Sequence, residues 1–300
     1  MPFPKREKTA MNNVKGEAYG AIDIVCNAFT PETLENGWMS TDKGFREKVR
    51  VKPEYRDGVS AGNYIAMMDR CGIERSFLIA SRSGDLRIQG SAHMPTDYIA
   101  GLVDAHPDRF SGLIGIDPSR IMESLAEVEH AVTDLGFVGA HLYPHWFDEA
   151  PDAAKYYPFY AKCCDLGVPV QMQVGHCLVY NPHRRLPSVG RPICLDRIAL
   201  DFPDLKLIGI HIGYPWYEEM ISVAWKHPNV HIGLDAYAPK HWPEATRHYM
   251  NSFGQDKVLF GTDWPVVDPE RAMDDVAEID WKPDAKRKVL RDNALNLYNI

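Results

Sequence analysis

The chain has 300 residues, 45% hydrophobic and 25% charged, which is the composition of an ordinary globular protein with enough length for a full core. Its formal net charge of −8 argues against a nucleic-acid or anionic-membrane partner. No apolar run approaches the roughly 20 residues of a membrane span, so no membrane partner is expected either. The first twenty residues are basic and polar with no apolar segment. They read as an arm ahead of the first strand, not a secretory signal, and the cytoplasm is the expected compartment. The six cysteines show no CxxC spacing and lie mostly in apolar segments, as buried free thiols do.

From Ala21 onward, short β-branched runs alternate with helical patterns. The first strand is AIDIVCN from Ala21, and a long connection from Phe29 to Ser60 follows it. RSFLIAS from Arg75 and FSGLIGI from Phe110 come next, then FVGAHLYP from Phe137 and PVQMQVGH from Pro169. A second long connection runs from Cys177 to Pro192 and carries Arg184, Arg185 and Arg191. KLIGIHIG from Lys206, NVHIGLDAY from Asn229 and KVLFGTDWP from Lys257 complete the set. Between strands, segments such as SLAEVEHAVTDLG space apolar residues by three and four and end in Gly, a helix and its stop. Near-continuous apolar strands are those of a parallel sheet covered on both faces. Eight such units in about 250 residues fit one closed (β/α)8 barrel spanning 1–300, with residues 1–20 as the arm. The first strand is not followed by GxGxxG, so an open dinucleotide-binding sheet is disfavoured.

In such a barrel the chemistry sits at the C-terminal ends of the strands. Four polar residues fall there: His141 in GAHLYP, His176 in QVGHC, His211 in GIHIG and Asp263 in GTDWP. A lone histidine in an apolar strand is more often a hydrogen-bonded core residue than a catalyst. Three histidines and an aspartate on separate strand ends change that balance, because the barrel makes these ends converge. Imidazole and carboxylate together can bind a divalent metal or activate water. Asp235 either contacts substrate or caps the next segment, and the sequence leaves both open. Asn293 reads as a residue that holds the last helix, and His145 as structural. Tyr214, Trp216 and Trp264 are candidate pocket walls, and one loop arginine, Arg184, is a candidate for binding a substrate carboxylate.

The order of strand-5 His, strand-6 His and strand-8 Asp in FGTDWP, with the closing RDNALNLY, resembles the amidohydrolase superfamily. More narrowly, it resembles the amidohydrolase-2 group typified by aminocarboxymuconate-semialdehyde decarboxylase, from about Ala21 to Tyr298. The resemblance implies a (β/α)8 fold, one divalent metal such as zinc, and hydrolysis or non-oxidative decarboxylation. It makes His176 and Asp263 metal ligands and His211 the residue that handles the proton. Family members commonly open strand 1 with Asp-x-His-x-His, whereas this chain reads Asp23-Ile24-Val25-Cys26-Asn27. Valine cannot ligate and an asparagine carbonyl is a poor zinc ligand, so metal-free catalysis and a recruited set including His141 both stay open. Cys26 is expected on the opposite face from Val25 and Asn27.

The sequence reading is therefore a hydrolase with His176, His211 and Asp263 as catalytic residues and a small carboxylate-bearing or cyclic substrate. Asn27, His141, Arg184 and Trp264 are expected to touch that substrate. A carboxy-lyase and a catalytically degenerate binding protein are the alternatives. A homodimer is the expected assembly.

Overall fold

The computed structural model describes residues 17, 19–39, 43–181 and 184–300, and most of the expected N-terminal arm lies outside them. Eight strands pair in parallel and in chain order. They are β1 (Ala21–Cys26), β2 (Ile73–Ala80), β3 (Phe110–Gly115), β4 (Gly139–Leu142), β5 (Val170–Gln173), β6 (Leu207–Ile210), β7 (Val230–Gly233) and β8 (Val258–Leu259). The β8 segment returns to β1: Ile24 N–H donates to Phe260 O at 3.1 Å, and Asp263 N–H to Val25 O at 2.8 Å. The sheet is thus a (β/α)8 barrel. Among the described residues no helix is long and apolar enough to cross a membrane.

A helix follows each strand: α1 (Ala61–Cys71), α2 (Thr96–Ala105), α3 (Ile121–Thr133), α4 (Tyr157–Leu166), α5 (Cys194–Asp201), α6 (Tyr217–Lys226), α7 (Glu244–Met250) and α8 (Pro269–Ala277). In α1 the Ser60 hydroxyl caps the start, Gly72 ends it at φ 79°, and Tyr64, Met67, Met68 and Cys71 are buried. That spacing of three and four places one stripe on the barrel, each such side chain contributing about 1.5–3 kcal/mol by burial. Cys26 faces this helix, its thiol donating to Tyr64 Oη at 3.3 Å, while Ile24 and Val25 both join the inner core, the β1–β2 pairing being irregular between Asp23 and Cys26.

The inner core includes Phe77, Ile79, Leu113, Ile208, Ile210 and Leu259, and the C-terminal helix adds Ala294, Leu297 and Tyr298. Asn293 anchors that helix, donating to Gln255 O at 2.8 Å and Val258 O at 2.7 Å. Tyr298 sets its ring edge-on to Phe77, with centroids 4.7 Å apart.

The paired strands are shorter than the apolar runs suggest. Ladders stop where the chain turns left-handed: at Gly175 (φ 93°), His211 (64°), Ala236 (66°) and Asp263 (55°). The two long connections meet over the open end, where Lys48 Nζ donates to Leu178 O at 2.8 Å.

Candidate active site at the C-terminal ends of the strands

His211 is the first residue beyond β6, and both it and Ile212 (φ 59°) are left-handed. Non-glycine residues hold such conformations at a cost of about 1–3 kcal/mol each, so the surroundings must over-determine them. They do. Asp235 Oδ1 accepts the His211 N–H at 2.9 Å, and Gln173 Nε2 lies 3.0 Å from His211 Nδ1. This turns His211 Nε2 toward two carboxylates, 3.1 Å from Asp235 Oδ2 and 3.6 Å from Asp263 Oδ2. Asn27 completes the cluster by donating from Nδ2 to Asp263 Oδ1 at 3.0 Å and to Trp264 O at 2.8 Å. A third carboxylate, Asp23, lies fully buried beside them and accepts from Thr262 N at 2.9 Å and Thr262 Oγ1 at 2.5 Å. Gly261 makes room for this crowding, since a Cβ there would stand 2.9 Å from Asp235 Cβ.

The electrostatics follow from excluding water. Burial alone would depress the His211 pKa, but the Asp235 and then the Asp263 carboxylates outweigh it, and the imidazole is held above its ordinary value. Asp263 moves up from the usual carboxylate range. Burial is the main cause and Asp235 adds to it, against the pull of His211 and the Asn27 hydrogen bond. Burial also pushes Asp23 up to about 7 despite its hydrogen bonds from Thr262 and Val25. A buried carboxyl with a raised pKa beside an imidazole is a group that can hold and deliver a proton near neutral pH.

The cluster floors a small cleft at the C-terminal ends of the strands. Its walls come from Met39 and Phe45 after β1, Ser81 and Ser83 after β2, and Tyr143 and Trp146 after β4. Val179 after β5 and Pro265 and Val266 after β8 close it. None of these described lining residues is Lys or Arg. Aromatic and apolar walls around a few convergent polar groups suit a small, flat molecule.

Of the residues expected from sequence, the structure brings Asn27, His211 and Asp263 together. It does not bring His176, expected both as a catalyst and as a metal ligand. β5 ends at Gln173, and Gly175 then turns the chain. His176 is held instead by its backbone N–H on Tyr214 O at 2.8 Å. The inward position at the end of β5 belongs to Gln173. Arg184 does not reach the cleft either: it donates to Ser91 Oγ at 2.6 Å and to Trp146 O, and its guanidinium lies over the Trp146 ring. Trp264 points outward and packs against Phe29, Tyr55 and Tyr64 under the loop after β1, so only its carbonyl serves the site. His141 is buried below the cleft on β4, with Gln171 Nε2 2.9 Å from its Nδ1.

Gln173, Ser81, Ser83 and Tyr143 carry no sequence signal as strong as a histidine. The Val-Gln-Met-Gln alternation of β5 was still a usable clue, because a parallel barrel strand has no solvent face for two glutamines. Asp235, left open in sequence between substrate contact and capping, fixes the His211 backbone and faces the His211 ring. His211, Asp235 and Asp263 also offer three metal-ligating atoms within 4.8 Å of one another.

Comparison with known proteins places this arrangement. The amidohydrolase family signature matches residues 56–300. The chain is similar to gamma-resorcylate decarboxylase of Polaromonas sp. (strain JS666), 24% identical over 281 residues that cover 79% of this chain and 86% of that protein. Among solved structures it resembles an uncharacterised TIM-barrel protein of Bordetella bronchiseptica, with TM-score 0.77, 25% identity, and 93% and 98% of the two chains covered. It also resembles a dihydroxybenzoic acid decarboxylase of Polaromonas sp. JS666 solved with bound manganese and 2-nitroresorcinol, with TM-score 0.68, 21% identity, and 94% and 97% covered. The chain belongs to the amidohydrolase family of enzymes.

Proposed function

We propose that this enzyme is a carboxy-lyase that removes carbon dioxide from a small aromatic acid. This reverses the order favoured by sequence, where hydrolysis came first because the β1 imidazoles are missing. The observation that carries the reading is the buried Asp263 carboxyl, held in its proton-bearing range against His211 at the floor of an aromatic-walled cleft. Similarity to decarboxylases of hydroxylated benzoic acids supports it.

Decarboxylation of an electron-rich ring needs a proton delivered to the carbon that bears the carboxylate. The carbon–carbon bond then breaks, its electron pair returns to the ring, and carbon dioxide leaves. Asp263 supplies that proton and recovers one from solvent by way of His211. Asp235 and Gln173 hold the His211 ring in place. Asn27, donating to Asp263 Oδ1, leaves Oδ2 as the oxygen facing His211. Tyr143 and Trp146 wall the cleft beside the ring and keep water from the reacting carbon.

The donors present fit a divalent cation of the manganese type. His211 Nε2, Asp235 Oδ2 and Asp263 Oδ2 converge on one point, and two carboxylates with one imidazole form the hard donor set that such an ion prefers. His211, Asp235 and Asp263 would hold it in their deprotonated forms, so that a bound ion and the proton-bearing Asp263 are alternative states of the same floor, while Val25 offers nothing and Asn27 turns its amide nitrogen to Asp263. When bound, such an ion supplies Lewis-acid polarisation and offsets the negative charge of the floor.

The test is a pair of substrate panels given to the same preparation, one of hydroxylated and methoxylated benzoic acids, one of lactones, amides and esters. The expected result is carbon dioxide release from members of the first panel only. Turnover confined to the second would return the enzyme to hydrolysis.

A further inference from the structure

Two hydroxyls at the open end of the barrel have no task in the chemistry above. Ser81 is the first residue beyond β2 and Tyr143 the first beyond β4, and both line the cleft. Among the described residues neither Ser81 Oγ nor Tyr143 Oη finds a hydrogen-bond partner. Neither is one of the fully enclosed oxygens, so each is open to a molecule in the cleft.

Both side chains are held from behind. Neighbours on an extended segment face opposite sides, so Ser81 turns inward as Arg82 turns outward. The buried Arg82 guanidinium is anchored there: Nη1 donates to Ala80 O at 3.1 Å and Met94 O at 2.7 Å, and Nη2 to Thr96 Oγ1 at 2.8 Å and Glu127 Oε2 at 3.0 Å. The Tyr143 ring packs edge-on against His141, with centroids 4.3 Å apart. Burial, then the Asp263 and Asp235 carboxylates, push the Tyr143 pKa well above its ordinary value. Its hydroxyl therefore keeps its proton and can donate.

An aryl acid brings a carboxylate into a cleft whose floor is already acidic. Its arginine neighbours are committed elsewhere, Arg82 outward and Arg184 to Ser91 and the Trp146 carbonyl. The floor amides are occupied too, Asn27 on Asp263 and Gln173 on His211. In the barrel order, β2 and β4 lie across from β6, β7 and β8, which carry the acidic cluster.

We infer that Ser81 and Tyr143 are specificity-determining residues whose hydroxyls donate to the carboxylate of the aryl acid, on the side of the cleft away from Asp235 and Asp263. This rests on the aryl-acid reading above. Neutral donors suit the reaction. A guanidinium would hold the carboxylate most strongly before reaction and lose that attraction as carbon dioxide forms, whereas hydroxyls lose less. The same arrangement accepts one carboxylate and has no cation to offset a second.

The test is a ligand-observed NMR titration of the full chain with salicylate and with phenol, which lacks the carboxylate. Tyr143→Phe and Ser81→Ala should each raise the salicylate Kd about tenfold to a hundredfold, the worth of one hydrogen bond to a charged group. The phenol Kd should stay within about twofold, because the ring of Tyr143→Phe still packs on His141 and neither hydroxyl supports the fold. An unchanged salicylate Kd in either variant overturns the assignment. So does an equal loss for salicylate and phenol, the result of a merely structural role. Either outcome leaves the aryl-acid reading in place. If the unmodified chain binds neither salicylate nor other hydroxylated benzoates, the aryl-acid reading itself fails and this assignment falls with it.

Discussion

Asp263→Asn removes a charge and a proton while keeping size and shape. In the structure Asp263 Oδ2 stands 3.6 Å from His211 Nε2. At an effective dielectric of about 20, that separation corresponds to about 5 kcal/mol of attraction between an ionised pair. Two effects follow. The His211 imidazolium loses one of the two carboxylates that hold its pKa up, so the His211 titration moves down while Asp235, at 3.1 Å, still supports it. The proton donor itself is also gone, and general acid–base catalysis is worth about 10²–10⁴ in rate. Turnover should therefore fall by at least about a hundredfold, equivalent to about 3 kcal/mol or more on the barrier. Ligand affinity should change far less, because the lost interaction belongs to the transition state. Thermal stability should hold or rise, since the ionised form of a buried carboxyl is costly to keep. Single-turnover rate and melting temperature measured on one preparation separate the alternatives. A variant with a clearly lowered melting temperature and near-normal turnover would refute the reasoning, because Asp263 would then be a loop-capping residue.

Two further outcomes follow from the same cluster. Manganese titration followed by electron paramagnetic resonance should show a site that dialysis against a chelator strips readily. Asp235→Asn should weaken it at least about tenfold and His176→Ala should leave it intact; loss of manganese binding in His176→Ala would contradict the ligand assignment. Asp23 gives a pH signature. Its folded pKa of about 7 lies above the ordinary value of 3.8, so the folded state binds the proton more tightly than the unfolded one. Its contribution is present in full below about pH 4 and is lost as pH rises through about 7, amounting to at most about 4 kcal/mol. In denaturant titrations between pH 4 and 8, the stability of the unmodified chain minus that of Asp23→Asn should fall over that window. A difference independent of pH would show that Asp23 does not titrate there.

Much of the barrel was legible because its signals are local. Eight apolar runs, helix-period segments between them and glycine stops define the strand order without any tertiary knowledge. That Val25 and Asn27 offer no imidazole on β1 is read directly from the sequence. The site was less legible where the sequence cannot show a change of backbone direction. His176 looked like a strand residue because Val174 and Gly175 continue the apolar run, yet Gly175 turns the chain and leaves Gln173 as the last inward side chain. Trp264 was misplaced for the same reason: the left-handed Asp263 turns the chain and carries the next side chain under the loop after β1. Arg184 looked free because its partners, Ser91 and the Trp146 carbonyl, are remote in sequence. Hydrolysis and decarboxylation were inseparable in the sequence because both use an acid beside a polarised carboxyl or carbonyl group.

The most direct measurement is a turnover in heavy water, using a hydroxylated benzoic acid that releases carbon dioxide, with the product read by mass spectrometry and proton NMR. Delivery of a proton from Asp263 to the vacated ring carbon predicts one deuterium at that position and none at the other ring carbons, with the label appearing at least about a hundredfold more slowly in Asp263→Asn. A product without deuterium at that carbon, or labelling equally fast in the variant, would contradict the account.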